Sequence, residues 1–231
     1  MAQFERALAA EFIGTGSLMG ALVIASMIAS SVAPGHPAAQ LLVISSTTAI
    51  VLGLLMRTAR KFGGGFLSPI AFIAMGLRDR PRHELIPATA LFLLVQVAGA
   101  ICGAWLIGVV FAAVGLETIE STRRASTSYV SEAVAGASVA AVLFLAPGQR
   151  RVLLVSLFSG LLYWFTDSAG FGNPAVTLAR AIAPASYDMQ RTSAGLCAAV
   201  QVLAAVAMLA VLVIVYGVND GRHHESQGGS R

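Results

Sequence analysis

Two short motifs in this sequence combine a polar residue with a proline, two residue types that are typical of a helix start. They are Ser68-Pro69-Ile70 and Asn173-Pro174-Ala175. Ser and Asn side chains accept hydrogen bonds from the first free N–H groups of a helix, and proline suits the first helical position because its missing N–H is not needed there. Each helix N-terminus carries roughly half a positive charge. Two such ends directed at one narrow lumen would repel cations and hydronium and let neutral molecules pass.

The other side chains that commonly perform chemistry do not form a recognisable site. Cys102 and Cys197 lie inside apolar segments without metal-ligand or disulfide spacing, so small core residues are the favoured interpretation. The four His residues fall in predicted loops and in the polar tail, where a His pair is a weak metal signal. Nucleophile-elbow, Walker, HExxH and GxGxxG motifs are absent from the sequence. The sequence therefore predicts no enzyme, no metal site and no cofactor.

The composition indicates a lipid bilayer as the solvent. Of 231 residues, 57% are hydrophobic and 11% charged, with a mean hydropathy of +0.79, which is too apolar for an ordinary soluble domain. A spanning helix needs about 20 mostly apolar residues. We take the first apolar segment as a retained span because it is longer than that of a secretory signal. Six such segments occur, at approximately 8–30, 40–60, 86–111, 129–147, 152–169 and 192–217.

The basic residues predict the orientation, since cytoplasmic loops attract Lys and Arg. Eleven of the fifteen Lys and Arg residues lie on one side of a six-span arrangement: one at the N-terminus, six between the second and third spans, two at 150–151 and two in the tail. Both termini are therefore expected in the cytoplasm, with the chain in the cell inner (plasma) membrane and 219–231 as a polar, disordered tail. This bias accounts for the pI of about 9.6, and no basic patch with interleaved aromatic residues indicates nucleic-acid binding.

The sequence repeats itself, and each half begins with a Glu followed by small residues. Glu11 opens the pattern in the first span and Glu132 in the fourth, and each half places one proline motif after its second span. We expect a single domain over 1–218, with repeats at about 5–115 and 125–218. Because each repeat has an odd number of spans, the second is inverted relative to the first. The proline-led helices are too short to cross and should meet near the centre from opposite faces.

Over most of the chain these features resemble the aquaporin (major intrinsic protein) family. The resemblance rests on 10–15 in the first span, the glycine-rich lead into Ser68, 96–100 in the third span, and Asn173 with the two residues after it. It implies an all-α membrane protein with six transmembrane helices plus two re-entrant half-helices in an inverted repeat. It also implies a pore in every subunit of a homotetramer, with the lipid bilayer and small neutral solutes as partners.

Two positions depart from the family pattern. The first motif has Ser68 where the family usually has Asn, whose amide offers two donors on a longer arm than a hydroxyl. Val176 stands where the family usually has Arg. The resemblance implies, counting along the motif as the family is built, that the four selectivity-filter positions fall on Thr48, Leu161, Gly170 and Val176. This ring is small or aliphatic with one hydroxyl, so we expect a broader and less polar constriction, and also a wider centre beside Ser68.

Charged residues inside predicted spans are candidates for function. Glu11 and Glu132 could relay protons or couple transport. In the family, paired Glu residues accept hydrogen bonds from backbone N–H groups of the re-entrant loops, and we favour this structural role because irregular backbone within a membrane needs partners. The role of Asp167 stays open. Arg180, one turn after Val176, either leans toward the lumen or forms a salt bridge or snorkels at the outer surface.

The favoured function is passive conduction of uncharged solutes larger than water, such as glycerol, urea or metalloid hydroxides including arsenite and its methylated forms, with some water. The aliphatic filter without Arg motivates this interpretation, and the pattern looks like that of bacterial arsenite-conducting aquaglyceroporins. Three alternatives stay open: a water-selective aquaporin, a proton-coupled transporter that uses the intramembrane carboxylates, and a non-conducting structural membrane protein.

Overall fold

The computed structural model describes residues 2–79, 82–113, 128–166, 171–182 and 191–217. The regular structure of these residues is helical, and one 3-10 turn at Arg60–Phe62 extends the second helix. Eight α-helices lie within the described ranges: α1 (Ala2–Val32), α2 (Pro37–Ala59), α3 (Pro69–Asp79), α4 (Arg82–Ala113), α5 (Tyr129–Leu145), α6 (Arg151–Phe165), α7 (Pro174–Ile182) and α8 (Arg191–Tyr216).

Four of the helical segments are long and apolar enough to cross a membrane. They are Ala2–Val32, Pro37–Phe62, Ala88–Ala113 and Ser193–Tyr216. The helices α5 and α6 are apolar but shorter, with 17 and 15 residues, against the roughly 17 to 25 residues of a spanning helix. The prediction of an all-helical membrane protein therefore agrees with the structure, and four of the six predicted spans reach full length within the described residues.

The distribution of side chains is inverted relative to a soluble protein. Large apolar residues point outward, with Ile214 82%, Phe165 77% and Val130 74% exposed, whereas Glu11 and Gln96 are fully buried. A lipid surface favours this arrangement, since hydrocarbon tails are as apolar as the side chains that face them and polar groups find partners only inside the protein. The outer surface of the helices thus fits a bilayer.

The same set of helix contacts occurs twice. In the first half α1 packs against α2 and α4, and α3 packs against α4; in the second half α5 packs against α6 and α8, and α7 packs against α8. The two sets join where α2 contacts α6 and where α3 contacts α7. Both short helices are therefore enclosed by longer ones, which is the condition for irregular backbone at membrane depth.

Glycines let α1 and α4 approach closely. A Cβ on Gly16 would lie 2.8 Å from the carbonyl oxygen of Gly99, and one on Gly103 would collide with the carbonyl oxygen of Gly16. Small residues at such spacing favour close helix packing in membranes. The sequence pattern at Gly99 and Gly103 therefore serves packing. The helices α5 and α8 also pack closely at a glycine, Gly136, where a Cβ would collide with the carbonyl oxygen of Gln201.

Replacing Gly103 by Val should lower the stability of the purified protein, because the added carbons would force α1 and α4 apart. Overpacking of this kind costs about 1–3 kcal/mol. Thermal unfolding in detergent, followed by circular dichroism, measures the loss. Gly195→Val is the matched control, since a Cβ on Gly195 of α8 would meet no atom within 4 Å; equal melting temperatures for the two variants would contradict the prediction.

Candidate pore site

The N-termini of the two short helices meet. The Asn173 side-chain amide donates a hydrogen bond to the carbonyl oxygen of Leu67, with Nδ2 and O 2.7 Å apart. Leu67 directly precedes Ser68, and both Ser68 and Asn173 line one cavity. Asn173 is 2% exposed and Ser68 7%. The structure thus brings the two proline motifs together from sequence positions more than a hundred residues apart.

The two helix caps are built differently. The Asn173 Oδ1 atom accepts from the backbone N–H of Ala175 at 3.1 Å while its Nδ2 donates to Leu67, so both ends of this amide are fixed. In contrast, Ser68 Oγ is buried and has no hydrogen-bond partner among the described residues. One amide hydrogen of Asn173 and the whole hydroxyl of Ser68 are therefore available to a molecule in the cavity.

A buried carboxylate holds the loop that leads into α3. Glu11 accepts hydrogen bonds from the backbone N–H groups of Gly65, Phe66 and Leu67, at 2.6, 2.8 and 2.8 Å. A fourth comes from Gln96 Nε2 at 2.7 Å. Leu67 has φ +53°, in the left-handed region that side chains other than Gly rarely adopt. The four bonds fix an unfavourable backbone path, so the contacts of Glu11 are structural ones.

The second half repeats this arrangement with one difference. Glu132 accepts a hydrogen bond from Gln201 Nε2, and the Gln201 amide also bonds Thr177 Oγ1 at 2.9 Å. Of the corresponding loop residues, 170–172, Gly170 lies outside the described part of the chain. In the first half the position of Thr177 is occupied by Phe72, and Gln96 Oε1 has no hydrogen-bond partner within the described ranges.

Phe72 contributes to an aromatic cluster instead of a polar network. Its ring stacks on that of Phe92, with centroids 4.3 Å apart, and meets Phe66 edge-on at 5.0 Å. Such pairs add stability beyond the area they bury. The cluster therefore places the Phe66 side chain, which lines the cavity, against two fixed neighbours.

The cavity between the two motifs is small and mostly apolar. Its volume is about 20 Å³, which is room for roughly one water molecule. Ser68, Ser159 and Asn173 supply its polar groups, and Met56 and Phe66 are part of the apolar wall. The expectation of a wider centre beside Ser68 stays a prediction, since it compares this cavity with that of a channel that has Asn at the same position.

Two of the four predicted filter residues are buried in the described structure. Thr48 is fully buried on α2, one turn before Leu52, which lines the cavity, and its hydroxyl donates to the carbonyl oxygen of Ile44 at 2.8 Å. Val176 is fully buried on α7. Gly170, like Asp167, lies outside the described residues. The Thr48 hydroxyl is thus satisfied by its own helix.

Leu161 does not lie with the other predicted filter residues. It is 49% exposed and shares the outward face of α6 with Leu157, whereas Ser159 and Leu162 are 2% and 3% exposed. Counting back from Asn173 selected Leu161, but the helical turn of α6 directs Leu162 inward. The missed signal was the periodicity of α6, since Ser159 and Thr166 are polar and mark the inner face.

Arg180 is 8% exposed, so snorkelling at an open surface does not describe its position. No group of three or more His, Cys, Asp and Glu side chains with metal-binding geometry occurs in the described ranges. The two cysteines form no disulfide, and Cys197 is buried whereas Cys102 is exposed.

Comparison with known proteins identifies the chain at the family level. No family model matches it. Aquaglyceroporin AqpS of Rhizobium meliloti (strain 1021) is 30% identical to it over 185 residues, which cover 78% of this chain and 78% of the relative. That coverage includes most of both halves and agrees with the helical, outwardly apolar architecture described above. The chain therefore belongs to the aquaporin (major intrinsic protein) family of multi-pass membrane channels.

Proposed function

We propose that this channel conducts small uncharged solutes larger than water, such as glycerol, urea or metalloid hydroxides including arsenite and its methylated forms, together with some water. The observation that carries the proposal is the meeting of Ser68 and Asn173 at one cavity, with two helix N-termini directed toward it. The similarity to a protein named an aquaglyceroporin supports solutes of the glycerol type.

Charge exclusion follows from the two half-helices. Each N-terminus carries roughly half a positive charge, and both point toward a small, mostly apolar cavity where screening by water is weak. A cation or hydronium ion at the centre would meet two like charges, whereas a neutral molecule would meet only hydrogen-bonding groups. The proposed substrates are accordingly neutral at physiological pH.

The proposed filter lies at Thr48, Leu162, Gly170 and Val176, with Leu162 in place of Leu161. The Thr48 hydroxyl is already bonded within its helix, and the other three positions offer no donor. A filter of this kind selects by size more than by hydrogen bonding, and it lacks the fixed cation that Arg would supply. Solutes with a methyl group or a bulky central atom would therefore not be rejected for lack of polarity.

We further propose the assembly and placement that the family resemblance implies. The helices α5 and α6 would span the membrane together with the four longer ones, so six spans and two half-helices would place both termini in the cytoplasm. The channel would act as a homotetramer in the cell inner (plasma) membrane. Protease accessibility of tags at each end of the chain in sealed vesicles tests the orientation.

A flux panel in proteoliposomes tests the proposed function. Shrinkage and reswelling in gradients of glycerol, urea and arsenite should be faster than in empty liposomes. Water flux without solute flux would contradict the proposal and support the water-selective alternative. Accumulation of solute driven by a pH gradient would support a coupled transporter, and absence of all flux from a folded protein would support the structural alternative.

Met56 is expected to limit the flux of the larger solutes, because its side chain occupies the wall of a cavity that holds about one water. Met side chains are flexible, and moving one off its preferred rotamer costs about 0.5–1.5 kcal/mol, equivalent to roughly a 2- to 12-fold change in rate. Met56→Ala should therefore raise the glycerol flux per folded protein by a factor in that range.

The control for this change is Met19→Ala, which truncates another fully buried Met outside the cavity wall. Both variants lose buried carbon and should lose comparable stability. Stopped-flow light scattering compares their glycerol permeability. An equal change in both variants would show that Met56 does not limit solute passage.

A further inference from the structure

Two serine hydroxyls face the central cavity from different elements. Ser68 begins α3, and Ser159 lies on the inner face of α6. Ser159 is 2% exposed and Ser68 7%. Ser68 Oγ is buried without a hydrogen-bond partner among the described residues, and the Ser159 side chain lines the same cavity. Ser156, one turn earlier on α6, instead donates to the carbonyl oxygen of Leu153 at 3.0 Å.

Leaving the buried Ser68 hydroxyl without a partner is unfavourable in a cavity whose wall is otherwise mostly apolar. Each polar group taken from water without a new hydrogen bond carries a desolvation cost. Ordinary packing would direct such hydroxyls back onto their own helix, as Ser156 does. Because Ser68 and Ser159 lie at the same small cavity, a molecule in that cavity can serve as their hydrogen-bond partner.

The chemistry of this partner follows from what the three polar groups offer. Asn173 Nδ2 keeps one free amide hydrogen, because the other is donated to Leu67, and its Oδ1 already accepts from the N–H of Ala175. A serine hydroxyl rotates and both donates and accepts. A molecule between them can accept from Asn173 and give its own O–H groups to Ser68 and Ser159.

We infer that Ser159 and Ser68 form a hydroxyl pair that substitutes for the amide absent from the first motif and that favours permeant molecules carrying several hydroxyl groups. The inference rests on the proposed channel function and assigns Ser159 as a further specificity-determining residue. A polyhydroxylated solute must shed much of its hydration to enter a cavity the size of one water. The pair replaces two of the hydrogen bonds that such a solute loses.

The test compares Ser159→Ala, Ser68→Ala and the double variant in proteoliposomes that contain the full chain. One lost hydrogen bond of ordinary strength should lower glycerol permeability roughly 3- to 10-fold. Water permeability should fall less than about twofold, because a permeating water molecule keeps its hydrogen bonds to the water molecules before and behind it in the pore. The double variant should lose less than the product of the two single losses, since both hydroxyls bind one solute molecule.

Two further variants separate hydrogen bonding from shape and folding. Ser156→Ala removes a hydroxyl of the same helix that does not line the cavity, and it should leave glycerol permeability unchanged. Ser159→Thr keeps the hydroxyl and adds a methyl group, so it should retain the ratio of glycerol to water permeability better than Ser159→Ala. Retained water flux shows that each variant is folded.

Specific results would overturn the inference. A Ser159→Ala variant that conducts glycerol like the wild-type protein, or no worse than Ser156→Ala, would show that the hydroxyl does not contact the solute. Equal losses in the Ala and Thr variants would assign the effect to shape. If the wild-type protein conducts no solute, the proposed function fails and the inference with it; if it conducts and the Ser variants do not differ from it, only the inference fails.

Discussion

Glu11→Ala should produce a protein that does not reach a stable folded state. The substitution removes the acceptor of three backbone N–H groups and of the Gln96 amide. Each buried donor left without a partner costs about 1–3 kcal/mol, so the total is on the order of 5 kcal/mol, comparable with the whole stability of many proteins. Yield of monodisperse protein in detergent and its thermal unfolding measure the effect.

Glu5→Ala is the matched control, because Glu5 is an exposed residue of the same helix. It should fold and conduct like the wild-type protein. Glu11→Gln adds a sharper comparison, since the Gln amide has one acceptor atom where the carboxylate has two. A Glu11→Gln protein that folds normally and loses only pH-driven solute accumulation would contradict the structural role and favour a coupled transporter.

Val176→Arg should change solute selectivity more than any other single substitution in the proposed filter. The added guanidinium would extend from the first turns of α7 and supply both bulk and a fixed charge to the filter. We expect the permeability of glycerol and arsenite to fall on the order of tenfold or more, which corresponds to about 1.4 kcal/mol of added barrier. Water permeability should fall much less, and any proton leak should decrease.

Val176→Met separates bulk from charge at the same position. Met is long and unbranched but neutral, so it should reduce solute flux without reducing a proton leak. Stopped-flow measurements with a pH-sensitive dye report the leak alongside the solute fluxes. Unchanged solute permeability in Val176→Arg would show that Val176 does not line the constriction, and the filter assignment would have to be revised.

The meeting of the two proline motifs was predictable because its signals are local. A polar cap followed by proline indicates a helix start wherever it occurs, and the repeat predicts that the two starts are related by inversion. The partner of Glu11 was also predictable in kind, since a carboxylate within a membrane needs donors. The backbone groups that Glu11 binds depend on the path of residues 64–67, which the sequence alone does not define.

The failures have a common physical cause, which is that side-chain direction depends on more than sequence spacing. Leu161 was selected by counting from Asn173 across a loop, and one residue of difference in a helix rotates a side chain by about 100°. The role of Ser159 was missed because a single Ser in an apolar segment is usually bonded within its own helix.

The hydrogen bond from Asn173 to Leu67 joins the first half of the chain to a residue that the ribosome adds more than a hundred positions later. Until that residue is inserted, the carbonyl of Leu67 and the end of α3 have no counterpart. The part of the pore wall that the second motif supplies is therefore added only late in biosynthesis. Nascent chains that are held at the translocon before the second motif emerges would contain only the pore-lining residues of the first half and would form no complete pore.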